Sequence, residues 1–269
     1  MQPDQPSAPP VALHHAGTYR REVQASLPRI HENVWDWEHL PALHGTSFAA
    51  CELLGQDAEG WRVRLTSQPG NPDHAQVLKL AMRADGLGYT VTTEAGPGTP
   101  SEIRVVLTPR AEHETGVLVE YHVPEADPQR LAMIGAGFVS IYEQLWDEDE
   151  AMMRAREAAL APRPRAERPA RLDLGSEAEV RARLPLLFEF GPARFRLVEL
   201  DGALIAHAAT CPHWLAPLDD VPVVAGCITC PWHRYRFDVA TGRSVDGKGL
   251  RLAPPPTIRL EAGRIIACA

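Results

Sequence analysis

Cys211-Pro-His213 and, after sixteen intervening residues, Cys230-Pro-Trp-His233 are the segments that decide the fold of the C-terminal part of this chain. Each segment offers one thiolate and one imidazole, at C-x-H and C-x-x-H spacing. Two loops that each supply such a pair predict one shared metal site. A tetrahedral zinc site is the alternative, but zinc fingers usually pair cysteine with cysteine and histidine with histidine at their short spacings.

The residues around these two segments extend the pattern. Gly226 precedes the second segment, and Phe237-Asp238 and Thr241-Gly242 follow it. With them, the stretch from about Leu172 to Ala269 resembles the Rieske family, which implies an all-β domain with a [2Fe-2S] cluster bound by Cys211, His213, Cys230 and His233. In such a cluster two cysteines hold one iron and two histidines hold the other, which raises the reduction potential above that of an all-cysteine ferredoxin. The resemblance predicts a carrier of single electrons.

Comparison within that family predicts a low potential. Trp232 occupies the place of the extra cysteine that respiratory-complex Rieske proteins have in the second loop, and Leu215 and Ala216 leave none in the first. Tyr235 and Phe237 stand where those proteins have a serine and a tyrosine that donate hydrogen bonds to sulfur. Because such hydrogen bonds raise the potential, we expect a value near the low end of the Rieske range.

Composition excludes several other functions. The 269 residues include 27 basic and 35 acidic side chains, a net charge of −8, which argues against a nucleic-acid-binding surface. No segment is apolar for long enough to span a membrane, and the proline-rich start lacks the apolar core of a signal peptide, so we expect a cytoplasmic protein. The remaining cysteines, Cys51, Cys227 and Cys268, are interpreted as packing residues.

The pattern predicts four regions: a leader over residues 1–12, a first domain over 13–160, a proline- and arginine-rich linker over 161–171, and the Rieske domain over 172–269. In the first domain we predict a strand near Thr18–Ala25 and a helical segment from about Arg29. Further strands are predicted at Trp61–Thr66, Val77–Met82, Tyr89–Thr93, Ile103–Thr108 and Val117–Val123.

A helical period then runs from Pro128 to Leu160. The apolar stripe expected to face inward consists of Ile134, Phe138, Ile141, Leu145 and Met152. A long helix packed across a curved antiparallel sheet resembles the helix-grip (START/SRPBCC-like) fold, which encloses an apolar cavity. The predicted class is therefore α+β, a helix-grip domain followed by the all-β domain.

A second group of chemically active residues lies in the early helical segment. Asp36 and His39 are three residues apart, on one helix face, and Pro41 disfavours continued helix, so a turn can bring His44 back toward His39. Two imidazoles and one carboxylate on one face typically hold non-haem Fe(II). The carboxylate ligand of such a site would have to come from an acid far from this segment in the sequence.

The acidic run 147–150 near the end of the long helix can supply it. Asp149 follows Leu145 by four residues and precedes Met152 by three, which places it in or beside the inward stripe. Asp149 is the predicted third ligand, with Glu148 and Asp147 as alternatives.

The run Asn33-x-x-Asp36-x-x-His39-x-x-x-x-His44 resembles the mononuclear-iron motif of Rieske non-haem iron oxygenases, the ring-hydroxylating and demethylating enzymes. The resemblance implies that His39 and His44 bind iron, and that Asp36 bridges a cluster histidine to an iron histidine, with Asn33 beside it. In that family the Rieske domain comes first, whereas here the catalytic-like domain does.

The resemblance implies an O₂-dependent hydroxylation or oxidative demethylation of a small hydrophobic, aromatic substrate, using a [2Fe-2S] cluster and mononuclear Fe(II). Because no nucleotide-binding motif is present, electrons are expected from a separate NAD(P)H-dependent reductase or a ferredoxin. A homotrimer is implied as well. The alternative is a Rieske electron-transfer protein fused to a non-catalytic domain that binds hydrophobic ligands, in which Asp36, His39 and His44 only pack.

Overall fold

The computed structural model describes residues 11–162 and 167–269 and forms two compact units, Met1–Arg154 and Ala155–Ala269. Most of the predicted leader, residues 1–10, and the centre of the predicted linker, residues 163–166, lie outside the described residues. The predicted domain bounds therefore stay predictions.

The first unit is built on a seven-stranded antiparallel sheet with the strand order β1-β7-β6-β5-β4-β3-β2. Alternation explains the strands: in β3 the side chains of Trp61, Val63 and Leu65 are buried, whereas Arg62 and Arg64 between them are exposed. The strands are β1 (His14–Val23), β2 (Phe48–Gln56), β3 (Gly60–Ser67), β4 (Gln76–Met82), β5 (Gly88–Ala95), β6 (Ser101–Ala111) and β7 (Glu114–Val123).

Three α-helices accompany this sheet: α1 (Leu27–Trp35), α2 (Leu40–Leu43) and α3 (Pro128–Leu160). Side chains of α3, among them Phe138 and Trp146, join one hydrophobic core with residues from the strands, such as Val63 and Val119. A single long helix packed on an antiparallel sheet is the helix-grip fold, so the predicted fold class is confirmed.

The buried face of α3 differs in part from the predicted stripe. Phe138 and Met152 are buried as expected, but Ile134 is 37% exposed and Ile141 is 50% exposed. The face that packs on the sheet includes Gly135, Trp146 and Met153 instead. Phe138, Ile141 and Leu145 of the predicted stripe nevertheless line an internal cavity of this unit. A close backbone contact accompanies this packing of α3.

That contact joins α3 to β1 through two glycines. A Cβ atom on Gly135 would lie 1.9 Å from the backbone oxygen of Ala16, and one on Gly17 would lie 3.1 Å from the Cα of Gly135. No side chain fits between the two backbones. The helix can therefore approach the strand only where both positions are glycine.

Gly135→Ala is expected to destabilise the protein by about 1–3 kcal/mol, because the new methyl group overlaps the backbone of β1. Gly137→Ala is the matched control: it is in the same helix, a Cβ atom added there would have no neighbour within 4 Å, and the change should stabilise by up to ~1 kcal/mol through helix propensity. Urea unfolding followed by tryptophan fluorescence measures both. Equal stability of the two variants would contradict the close approach of α3 and β1.

The second unit consists mainly of short antiparallel strands, which form the sheets β11-β10-β9, β12-β13 and β14-β15-β8. One short helix, α4 (Glu177–Ala182), begins with a capping box between Ser176 and Glu179. The strands are β8 (Arg171–Ser176), β9 (Leu186–Phe190), β10 (Ala193–Leu200), β11 (Ala203–Ala208), β12 (Cys227–Thr229), β13 (Arg236–Asp238), β14 (Thr257–Glu261) and β15 (Arg264–Cys268).

Long apolar helices of the kind that cross a bilayer do not occur among the described residues.

Candidate metal centres

The first unit encloses a cavity of about 290 Å³. Its wall contains three tryptophans, three tyrosines and two phenylalanines, contributed by the sheet, by α3 and by the segment between α1 and β2. His39, His44 and Asp149 lie in the same wall. Residues that could bind a metal thus lie beside a cavity that is large enough for a small organic molecule.

Local backbone structure positions the two histidines. Helix α1 ends at Trp35, a 3₁₀ turn covers Trp37–His39, and α2 follows immediately. The prediction for Pro41 was wrong in detail: Pro41 lies in the first turn of α2, where no backbone N–H is needed, and so it begins a helix. His39 and His44 flank this short helix, and their ring centroids are 5.1 Å apart.

Asp149 of α3 meets both imidazoles. Its Oδ1 atom is 3.4 Å from His39 Nε2 and 3.1 Å from His44 Nε2. One potential ligand atom from each of the three residues lies within 4.8 Å of the other two, and the three residues are only 4%, 1% and 9% exposed, in the order of the chain. The structure therefore brings together the three residues that sequence reasoning had selected.

A further polar group contacts each of these three side chains. Asn33 Nδ2 donates a hydrogen bond of 2.9 Å to Asp149 Oδ1, and His44 Nδ1 donates one of 2.6 Å to Glu148 Oε2. Asp36 Oδ2 lies 3.7 Å from His39 Nδ1. The hydrogen bond to Glu148 fixes the ring orientation and tautomer of His44 and makes its opposite nitrogen a better metal ligand. The distance from Asp36 to His39 is longer than a hydrogen bond.

The two alternative acids have other partners. Glu148 lies behind His44, on the side away from Asp149, and Asp147 forms a salt bridge of 2.5 Å with Arg21. The pairing of Glu148 with His44 was missed by sequence reasoning. It depends on the rotation of α3, for which the sequence gives no local signal.

The charges of this cluster balance one another. Burial alone would raise the pKa of Asp149, but hydrogen bonds from His44 and Asn33 and the charges of both histidines hold it below its usual value of 3.8. Burial lowers the pKa of His44, but Asp149 and Glu148 outweigh that effect and raise it above 6.5. A metal cation would replace the His44 proton, so metal binding should weaken as the pH falls through this raised pKa.

Two imidazoles and one carboxylate on one side of a cavity fit a divalent transition metal. This donor set is the facial triad that suits non-haem Fe(II), and related sets also bind zinc. The described cavity wall contains no lysine or arginine that would compete for the carboxylate or repel a cation. The residues present thus fit the mononuclear metal that the motif implies.

In the second unit, two loops of similar backbone structure carry the C-x-H and C-x-x-H segments. The N–H of Cys211 donates to the carbonyl of Ala216 (2.9 Å), and the N–H of Leu215 donates to the carbonyl of Cys211 (3.1 Å). In the second loop the N–H of Cys230 donates to the carbonyl of Tyr235 (2.8 Å), and the N–H of Arg234 donates to the carbonyl of Cys230 (2.9 Å). Equivalent turns therefore present the two cysteines.

The fifth residue of each turn has a left-handed backbone, with φ of 64° at Leu215 and 56° at Arg234. Such angles are uncommon for residues other than glycine. Their occurrence at the same place in both loops shows that the two turns are built alike.

The four predicted cluster ligands converge between these loops. Cys211 and Cys230 are buried free thiols in mutual hydrogen-bond contact, and that contact, aided by His233, holds the pKa of Cys230 well below its usual value. The rings of His213 and His233 are 4.5 Å apart. Two sulfurs and two imidazoles fit the mixed ligation of a [2Fe-2S] cluster.

The surroundings of these ligands are largely apolar or aromatic. Trp232 is 6% exposed, and the Tyr235 ring lies 4.7 Å from that of His213. His233 is buried and His213 is partly exposed. Both imidazoles lie close to the rings of Trp214 and Tyr235.

Residues 171–254 match the Rieske [2Fe-2S] domain family. Apoptosis-inducing factor 3 of Mus musculus and that of Homo sapiens are each 31% identical to this chain over 77 residues. The match covers 29% of this chain and 13% of each relative, so the chain spans about an eighth of the curated relatives it matches. A Rieske domain implies a role in iron-sulfur electron transfer and electron-transfer partners.

Solved structures are similar to each unit. A START superfamily protein from Mycobacterium smegmatis is 20% identical, with a TM-score of 0.41, and the match covers 52% of this chain and 98% of that one. The ferredoxin of carbazole 1,9a-dioxygenase from Nocardioides aromaticivorans is 20% identical, with a TM-score of 0.33, over 37% of this chain and 98% of that one.

Proposed function

We propose that this chain is the terminal component of a Rieske-type non-haem iron oxygenase. It would hydroxylate or oxidatively demethylate a small, hydrophobic, aromatic substrate. The observation that carries the proposal is the convergence of His39, His44 and Asp149 at the wall of an aromatic-lined cavity, in a chain that also has a Rieske domain.

The reaction needs two electrons and two protons. A substrate C–H bond and O₂ give a C–OH group and one water molecule, and an O-methyl substrate would release formaldehyde after hydroxylation of its methyl carbon. The electrons would come from a separate NAD(P)H-dependent reductase or a ferredoxin, delivered one at a time to the cluster at Cys211, His213, Cys230 and His233.

Within the first unit, His39, His44 and Asp149 would hold Fe(II). Bound there, the iron would supply oxygen activation, and the open side of a facial triad leaves room for oxygen and substrate. The hydrogen bond from His44 to Glu148 keeps the Nε2 atom of His44 directed toward Asp149, and Asp36 lies 3.7 Å from His39 Nδ1. That Asp36 also connects a cluster histidine to this site remains a prediction from the motif.

The cavity would bind and orient the substrate. Its aromatic wall would surround the substrate with apolar groups, which would limit side reactions with water. Asn33 holds the Asp149 carboxylate in place through a buried hydrogen bond. These residues contribute orientation and a dry site, while the metal groups supply the chemistry.

The test is an iron count on protein purified without oxygen. The proposal requires three irons per chain, of which mild chelation removes one, and nitric oxide should bind the labile ferrous site and give a paramagnetic resonance signal. Reduced protein should then consume O₂ in the presence of a suitable aromatic compound. Two irons per chain, unchanged in a His39→Ala/His44→Ala variant, would favour an electron carrier fused to a non-catalytic binding domain.

A further inference from the structure

The cavity wall restricts the charge and size of the substrate. Among its described residues it has no lysine or arginine, whereas two carboxylates, Asp36 and Asp149, belong to it, so an anionic substrate would be repelled. A cavity of about 150 Å³ can hold benzene. The volume of about 290 Å³ therefore suits one substituted ring or two fused rings.

Two tyrosines give this wall hydrogen-bonding capacity. Tyr89 of β5 and Tyr142 of α3 both line the cavity, and Tyr89 is only 9% exposed. Within residues 11–162 and 167–269 neither hydroxyl forms a hydrogen bond with another protein group. Each hydroxyl can therefore donate a hydrogen bond to a ligand in the cavity.

The Tyr142 ring is held by aromatic packing, and both phenols remain protonated. The Tyr142 ring packs on Phe138 at 4.2 Å, and Phe138 stacks on Tyr121 at the same distance. Burial above all, with a contribution from the charge of Asp149, raises the pKa of Tyr89, and burial together with Tyr89, Tyr121 and Asp149 raises that of Tyr142. Both phenols are therefore donors at neutral pH, and both line the same cavity as Asp149.

We propose that Tyr89 and Tyr142 determine specificity by donating hydrogen bonds to an oxygen substituent of a neutral aromatic substrate with one or two rings. The inference rests on the proposed function in treating the cavity as the substrate site. Because both tyrosines line the cavity that contains Asp149, the oxygen substituent would lie in the same space as the metal. The proposed oxidation would be at that substituent, as in O-demethylation, or at a ring carbon next to it.

The experiment compares 2-methoxynaphthalene with 2-ethylnaphthalene. The two ligands have nearly the same shape, but the methoxy compound has an oxygen atom where the ethyl compound has a methylene group. Dissociation constants are measured on the full chain by tryptophan fluorescence. The wild-type protein should bind the methoxy compound about 5–10-fold more tightly, which is the effect of one net hydrogen bond. Tyr89→Phe/Tyr142→Phe should reduce this preference to below about twofold and leave the affinity for the ethyl compound unchanged.

Tyr19→Phe is the matched control, since Tyr19 is buried in the same core but does not line the cavity, and it should keep the preference. Equal wild-type affinities, no binding of either compound, or a preference that persists in the double variant would each overturn the inference. The iron count separates the two proposals. If the double variant loses the preference for the methoxy compound but the unmodified protein has no labile iron, the role of the tyrosines is supported and the oxygenase is refuted. If the double variant keeps the preference and the unmodified protein has labile iron, the oxygenase is supported and the role of the tyrosines is refuted.

Discussion

Asp149→Ala should leave two irons per chain where the unmodified protein has three, and should abolish oxygen-dependent turnover. Asp149 lies between the two imidazoles, with Oδ1 at 3.4 Å and 3.1 Å from their Nε2 atoms. Removing an outer partner of a metal ligand typically costs 10–100-fold in affinity, so loss of a ligand should exceed ~100-fold. Iron titration after mild chelation and O₂ consumption measure the two effects.

The neighbouring acids supply graded controls on the same turn of α3. Glu148→Gln retains a hydrogen-bond acceptor for His44 Nδ1 but removes the negative charge behind the ring, so we expect a weakening of metal binding near ~10-fold. Asp147→Ala breaks only the salt bridge with Arg21, and the Asp147 side chain is 63% exposed. Its iron content should equal that of the unmodified protein.

The order of these three effects is what the geometry requires. Equal iron loss in Asp147→Ala and Asp149→Ala would show that the acidic run acts only through general charge. Retention of the labile iron and of turnover in Asp149→Ala would remove the carboxylate from the proposed triad. In either case the electron-carrier alternative would become the better interpretation.

Local spacing made the histidine pair predictable, because His39 and His44 are five residues apart and one turn of backbone decides where they point. The detail of that turn was not predictable. Pro41 was expected to disfavour continued helix, but it lies in the first turn of α2, because the missing N–H of proline is tolerated there. The pair meets in either case.

Long-range features were predictable only where a periodic pattern carried them. The bounds of α3 and five strands of the sheet follow their apolar periods closely. Strand β2 was missed, because its register with β3 shifts twice, between Phe48 and Ala50 and between Leu53 and Gly55, and these irregularities break the alternation. The hydrogen bond from His44 to Glu148 and the place of Tyr89 in the cavity wall depend on how α3 packs on the sheet. The close contact of Gly135 with β1 is part of that packing, and it involves residues far apart in the sequence.

Cys230→Ala should remove the other two irons and leave the labile one. Cys230 is 1% exposed, and its backbone N–H and carbonyl are both held by the turn that ends at Tyr235, so the sulfur has one fixed direction, toward Cys211. Without this thiolate one iron of the cluster would lose a ligand. We expect complete loss of the visible absorption and of the paramagnetic resonance signal of the reduced cluster.

Cys227→Ala is the matched control, three residues earlier in the chain. Cys227 lies in β12, where its N–H and carbonyl pair with Val224, and it is a partly buried free thiol outside the ligand loops. Its removal should leave the cluster signal and the iron content unchanged. Cluster loss in both variants would indicate that Cys230→Ala acts by unfolding the unit, and urea unfolding of the two proteins distinguishes that case.

The pair Cys230→Ala and Asp149→Ala tests the whole assignment, because the two variants should remove different irons from one chain. The first should take the count from three to one, and the second from three to two, since their ligand sets share no residue. Turnover should be lost in both, because one lacks the electron supply and the other the oxygen-binding metal. A Cys230→Ala protein that still consumes O₂ with substrate at the unmodified rate would mean that electrons reach the first unit without the Rieske domain, and the proposed route would be wrong.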